Sequence, residues 1–218
     1  MTSAARAAAA EKAVDLVEPG MVVGLGTGDT AGYAIRAIAA RRLDITGVPT
    51  SRATAALAAQ LGIRLVEPDA VAALDLTIDG ADEIDGALRL VKGGGGALTR
   101  ERLVARASRA MAVVVDRGKR VTRLGERYRL PVEILPFGVR WTLARLAALG
   151  LEPVPRAGVV SDGGGVIADC TLGAVKQLPG VVDHGIFLDE ASVAFIGADD
   201  GSVEVISRAL SREGTPAR

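Results

Sequence analysis

Short apolar runs alternate along this chain with stretches whose apolar residues recur about every three or four positions, the signatures of buried strands and one-sided helices. An Ala-rich amphipathic stretch runs from Ala4 to Val17, Pro19-Gly20 makes a turn, and Met21–Leu25 reads as a buried strand. Thr30–Ala40 has helical spacing, Asp44–Val48 is strand-like, and Ala53–Leu61 is a helix stopped by Gly62. Ile63–Val66 and Leu74–Ile78 are further strands. Asp85-Gly86 predicts a hairpin turn before strand Leu88–Val91, then helix Ala97–Ser108 and strand Met111–Val115 follow. Such alternation predicts an α/β fold with a doubly wound, mainly parallel, Rossmann-like sheet.

Past Tyr128 the texture changes. Pro131, Pro136, Pro153 and Pro155 punctuate shorter segments around a helix at Val139–Leu149. Asp162-Gly163-Gly164-Gly165 separates strand candidates Gly158–Ser161 and Val166–Cys170. This pattern predicts a second, smaller α+β domain over residues 129–202. Val203–Leu210, as strand or helix, would return to the first domain, making that domain residues 1–128 plus 203–218.

Composition narrows the function. Apolar residues make up 49% of the chain but aromatics only 3%, so Ala, Val, Leu and Ile build the core. Lys plus Arg and Asp plus Glu number 26 each, leaving no basic excess for nucleic acid or an anionic membrane. Scarce aromatics also argue against base-stacking platforms. A single cysteine, Cys170, excludes an internal disulfide, and with His184 as the only histidine no zinc cluster of those ligands is possible. The run Ala4–Ala10 lacks the bulk of a signal core, and no apolar run is long enough for a bilayer. The chain reads as soluble and cytoplasmic, with a small-molecule substrate.

The chemistry concentrates in three segments. Lys92-Gly93-Gly94-Gly95-Gly96 lies between a strand and a helix that carries Glu101. Ordering consecutive glycines is unfavourable, so such a loop is retained where backbone N–H groups must approach a ligand. A lysine and a glutamate beside it suit an anionic intermediate. Gly24-Leu25-Gly26-Thr27-Gly28-Asp29-Thr30 joins strand to helix, where phosphates bind helix N–H groups. It has Asp29 in place of the third glycine of a dinucleotide fingerprint and no Walker lysine, which leaves a turn suited to one small phosphate with Thr27 and Thr30 donating. The third segment, Asp79-Gly80-Ala81-Asp82-Glu83-Ile84-Asp85, fails the EF-hand pattern because Ala81 stands where an acid is required. Following a buried strand, Asp79 and Asp82 are instead placed to hold sugar hydroxyls and move protons between their oxygens.

These segments, in this order, resemble ribose-5-phosphate isomerase of type A. Further matches are Asp116 to Lys119, Leu130–Phe137 and Leu178–Phe187. The resemblance implies a Rossmann-like domain with a ferredoxin-like α+β domain, a homodimer, and no metal or organic cofactor. It implies interconversion of ribose 5-phosphate and ribulose 5-phosphate. By position, Glu101 matches the general base, Asp79 and Asp82 the acids for hydroxyls and ring opening, and Lys92 the lysine beside the reacting oxygens. Thr27, Gly28, Asp29 and Thr30 fall on the substrate-binding turn, Gly80, Ala81, Gly93, Gly94 and Gly95 on the substrate-binding segments, and Lys119 on a ligand-binding lysine. Rival readings are a sugar-phosphate-sensing regulatory domain or an isomerase of another sugar phosphate.

Moving a carbonyl from C1 to C2 needs one carboxylate to carry a proton between them through a cis-enediol, and fixed donors for the oxyanion. Lys92 and the N–H groups of Gly93–Gly96 are expected to supply those donors. Asp29 stands where the family carries serine, and the expectation is that it caps the following helix. His184 is read as structural, Cys170 as a buried small residue, Trp141 as packing of the small domain's helix, and Asp116 as orienting Lys119. Arg6 is left outside the site.

Overall fold

The computed structural model describes residues 3–173, 175 and 178–208. The chain opens with α1 (Ser3–Val14), β1 (Val22–Leu25), α2 (Asp29–Ala40), β2 (Thr46–Pro49), α3 (Arg52–Gln60) and β3 (Arg64–Leu65). It continues through β4 (Leu76–Asp79), the hairpin β5 (Glu83–Ile84) and β6 (Leu90–Val91), α4 (Leu98–Arg106) and β7 (Met111–Asp116). The second part holds β8 (Leu130–Ile134), α5 (Val139–Ala148), β9 (Val154–Val160), β10 (Val166–Cys170) and β11 (Val181–His184). Last come β12 (Ile186–Phe187), β13 (Val193–Gly197) and β14 (Val203–Ser207).

Seven strands form the central sheet in the order β14-β13-β7-β4-β1-β2-β3, parallel throughout except for β14. One face carries Val23, Leu25, Ile78, Ala112, Val114 and Phe195 against α1, α2 and α3. The other carries Met111, Val113, Val115 and Ile196 against α4 and a small antiparallel sheet, β12-β6-β5. Strand β7 is therefore buried at every position, as a central parallel strand flanked on both faces must be. The Ala-rich α1 buries Ala5, Ala9, Ala10 and Ala13 completely, so its backbone lies directly on β13. A Cβ on Gly197 would stand 1.9 Å from Ala5 O, so only glycine permits that approach.

A four-stranded antiparallel sheet, β11-β8-β10-β9, with α5 makes the smaller domain, in the strand order of a ferredoxin-like fold. Its core is Leu130, Val132, Ile134, Leu146, Ala168 and Cys170. Two features differ from the sequence expectation. Strand β13 lies within the stretch 129–202 assigned to the smaller domain, yet it pairs with β7 in the central sheet. Its run Val-Ala-Phe-Ile-Gly is continuously apolar because both of its faces are covered. Trp141 lies on α5 but is 72% exposed, beside Phe137 at 81%, so neither packs that helix inward. The returning segment is a strand, Val203–Ser207, and residues 209–218 lie outside the described residues.

Candidate active site

The carboxyl ends of β1, β4 and β7 open on one cleft of about 180 Å³. Chain connections leave β1 and β4 in opposite directions, which makes this the crevice where open α/β sheets bind ligands. Thr27, Gly28, Asp29, Thr30, Gly80, Ala81, Asp82, Lys92, Gly93, Gly94, Gly95, Glu101 and Lys119 all line it. Asp79 lies beneath, wholly buried. Arg6 lines the cleft too, although no motif points to it.

Lys92 follows β6, and its N–H donates to Gly185 O at 2.8 Å, tying it to the turn before β12. Its ammonium is 2% exposed and sits among three oxygens: Gly80 O at 2.6 Å, Asp79 Oδ2 at 3.0 Å and Glu101 Oε1 at 3.4 Å. Burying one cation among two carboxylates is tolerable only because they compensate one another. Burial alone would lower the Lys92 pKa, but Asp79 and Glu101 reverse this and hold it above the ordinary lysine value. Burial raises Asp79, against Lys92 and the amides of Gly80 and Thr27.

Glu101 lies on the buried face of α4 with Leu98, Val104 and Ala105. Burial pushes its carboxyl up to about 8, with Lys92 opposing and Asp79 and Asp82 adding to the rise. Its second oxygen, Oε2, is buried and has no hydrogen-bond partner among the described residues. A carboxylate with one oxygen on an ammonium and one free is equipped to take a proton from a ligand.

Asp79 does not touch the cleft. Its Oδ1 accepts from Thr27 N at 3.0 Å and Gly80 N at 2.7 Å. A Cβ on Gly26 would stand 2.2 Å from that oxygen, which explains the glycine there. Asp82 does reach the cleft, and its Oδ2 accepts from Gly94 N at 2.6 Å. The rest of the acidic segment is structural. Glu83 accepts from the amides of Gly125, Arg127 and Tyr128, and Asp85 accepts from Ala87 and Arg89.

The glycine loop turns at Gly93 and Gly96, with φ of 102° and 77°. Its four amides are not equivalent donors. Gly94 N–H is bound to Asp82, and Gly96 N–H donates to Gly93 O at 3.0 Å. Gly93 is buried, so Gly95 is the exposed residue of the loop whose amide no described residue accepts.

At the phosphate-sized turn, the sequence expectation also needs revising. Thr50 and Thr54 donate their hydroxyl protons to Leu25 O and Gly26 O. Thr27 Oγ1, 2.7 Å from Thr50 Oγ1, is therefore the donor of that pair, and its proton points inward. Thr30 makes no such contact. Gly28, with φ of 100°, is the residue preceding α2, and Asp29 is the first helical residue and makes no cap. The Asp29 carboxylate instead meets Arg6 at 3.3 Å, and Arg6 Nε donates to buried Asp116 at 3.2 Å. Asp116 thus holds Arg6 and the amide of Gly118, not Lys119. Lys119 Nζ donates to Tyr128 OH at 3.1 Å and lies 4.5 Å over its ring. His184 Nδ1 accepts from Ile186 N, within the turn between β11 and β12.

A family model described as ribose 5-phosphate isomerase A (phosphoriboisomerase A) matches residues 46–201. The chain belongs to the ribose-5-phosphate isomerase A family. It is 49% identical over 220 residues to ribose-5-phosphate isomerase A of Roseiflexus castenholzii, covering 92% of this chain and 94% of that one. The structure of ribose 5-phosphate isomerase A from Methanocaldococcus jannaschii superposes with a TM-score of 0.87 at 36% identity, covering 93% and 98% of the two chains. A D-ribose-5-phosphate isomerase solved in complex with phospho-erythronic acid gives 0.87 at 32% identity, covering 93% and 97%. The reaction of this family, and of this chain, is the interconversion of ribose 5-phosphate and ribulose 5-phosphate in the pentose phosphate pathway. Among the described residues no helix is long and apolar enough to cross a membrane, and no three His, Cys, Asp or Glu side chains are grouped to hold a metal ion.

Proposed function

We propose that Glu101 is the base that carries a proton between C2 and C1 of the opened sugar, through a cis-enediol. The observation that carries this reading is its buried, unpartnered Oε2 at the cleft, with Lys92 beside the other oxygen. The oxyanion formed on proton removal is held by Lys92 and the amide of Gly95. Such preorganised donors are typically worth roughly 3 kcal/mol each.

Asp82, with one oxygen fixed by Gly94 N–H and its side chain facing the cleft, opens the ribose ring by proton transfer. Asp79 holds Lys92 and the Gly26-Thr27 turn in place from below. The substrate's phosphate binds at the start of α2, whose first amides have no intrahelical acceptors, with Thr30, Arg6 and Lys119 around it. The negative Asp29 makes this mouth less attractive to an anion than Arg6 alone would be.

The enzyme acts without a metal or organic cofactor, in the cytoplasm, and as a homodimer. Support for a second copy comes from the exposed apolar side chains Leu135, Phe137 and Trp141, which lie together along one surface groove. Incubating the enzyme with ribose 5-phosphate in D2O tests the mechanism by NMR. Deuterium is expected at C2 of ribose 5-phosphate and at C1 of ribulose 5-phosphate. Turnover with strict retention of the substrate hydrogen would favour a hydride shift or a fully shielded proton over open exchange at Glu101.

A further inference from the structure

The cleft is lined from the larger domain, yet one cation of the smaller domain reaches its glycine loop from behind. Arg156 lies on β9, the edge strand of the small sheet, with 18% of its side chain exposed. Asp169 of β10 grips the guanidinium from one side, Nε to Oδ2 at 2.8 Å and Nη2 to Oδ1 at 2.7 Å. The remaining arm, Nη1, donates to Gly93 O and Gly94 O, both at 2.9 Å.

Those two carbonyls matter because a peptide unit is planar. Fixing the oxygen of one residue fixes the N–H of the next. The Gly93 carbonyl shares its plane with the Gly94 N–H, which holds Asp82, and the Gly94 carbonyl shares its plane with the N–H of Gly95, a residue that lines the cleft. Consecutive glycines have no side-chain constraint of their own; within the loop the Gly96 N–H holds only the Gly93 carbonyl, and among the described residues the Gly94 carbonyl is held by Arg156 alone. A cation on the carbonyl side also polarises the same peptide groups toward stronger donation.

We propose that Arg156, oriented by Asp169, is a positioning residue for the isomerisation. It aims the Gly95 amide at the developing oxyanion and, through Gly94, fixes Asp82. The smaller domain is then part of the catalytic apparatus. This inference rests on the proposed role of the Gly95 amide and deepens it.

Three variants decide the matter: R156K, D169N and R156A. Lysine keeps a charge but has no planar fork to grip Asp169 and both carbonyls together. D169N leaves Arg156 in place and removes its bidentate partner. Each is assayed for kcat, KM and Tm, and for binding of two probes. Phospho-erythronic acid carries the charge and paired oxygens of an enediolate, whereas ribitol 5-phosphate is an uncharged-headed polyol.

In R156K and D169N we expect kcat to fall by about tenfold or more, with KM changed by less than about threefold. Affinity for phospho-erythronic acid should fall in step with kcat, and affinity for ribitol 5-phosphate should hold. R156A should show the same split, more deeply. If all three keep kcat, or lose both probes equally, Arg156 is only a domain tie and the inference is overturned. Failure of the parent enzyme to isomerise ribose 5-phosphate would instead contradict the assigned reaction. The probe comparison needs no turnover and still decides the role of Arg156.

Discussion

Glu101→Gln separates function from stability at one residue. In the native enzyme burial holds the Glu101 carboxyl at about 8, against an ordinary 4.5. Between those values the folded chain keeps a proton that the unfolded chain releases. Stability is therefore fully present below about pH 4.5, falls as pH rises, and levels off above about 8. At about 1.4 kcal/mol per factor of ten, the ceiling on that loss is roughly 5 kcal/mol. Glutamine matches the shape of the protonated acid and never ionises. It also gives up the attraction between Glu101 and Lys92, the longest of the three Lys92 contacts at 3.4 Å, while Asp79 and Gly80 O remain. The net gain expected at pH 9 is about 1–3 kcal/mol, or roughly 2 to 12 °C in Tm. At pH 5 the two proteins should match. Calorimetry at both pH values gives the stabilities, and a coupled isomerase assay should show kcat down by about two to four powers of ten. A variant no more stable than its parent at pH 9 would refute the account of a strained, buried carboxylate. Near-native turnover would remove Glu101 from the mechanism.

The same carboxyl should govern the pH profile: kcat/KM of the native enzyme rises with pH and levels off above about 8, and an acid limb near 4.5 would mean that Glu101 is not the titrating base. Asp29→Ser should lower KM for ribose 5-phosphate by about threefold or more by freeing Arg6 from its exposed partner, an exposed pair being worth up to about 1 kcal/mol. An unchanged KM would show that Arg6 and Asp29 lie beyond the phosphate's reach. Asp82→Asn retains an acceptor for Gly94 N–H but not a transferable proton, so kcat should fall by about a hundredfold while KM moves little. Full activity there would return ring opening to another group.

Much of this was legible in the chain because backbone chemistry leaves a mark on composition. The tetraglycine loop, the turn at Gly26 to Gly28 and the spacing of Asp79, Asp82 and Lys92 are local patterns, and they converge on one cleft, with Asp79 buried beneath it. Long-range partnerships left no such mark. Arg6 is 110 residues from Asp116, and its place follows from α1 settling on Gly197, a contact no periodicity reveals. Thr27 is a donor by residue type, but Thr50 and Thr54 turn its proton inward. Asp29 suits a cap by type, yet Gly28 takes that position through its backbone and leaves the carboxylate to Arg6. Trp141 is apolar enough for a core but lies on the outer side of its helix. Strand β13 was hidden because its apolar run follows the smaller domain without a composition break.

That strand has a mechanical consequence. Parallel neighbours cannot be joined by a tight turn, so the path from β7 to β13 must loop out over the sheet and come back. Here the entire ferredoxin-like unit occupies that excursion. It is thus moored at both ends to adjacent rungs of one rigid ladder. Side chains of α4 reinforce those two moorings, Arg102 on Asp183 and Thr99 on Glu133. A displacement of the small sheet therefore reaches both the helix that carries Glu101 and the peptide planes that Arg156 grips.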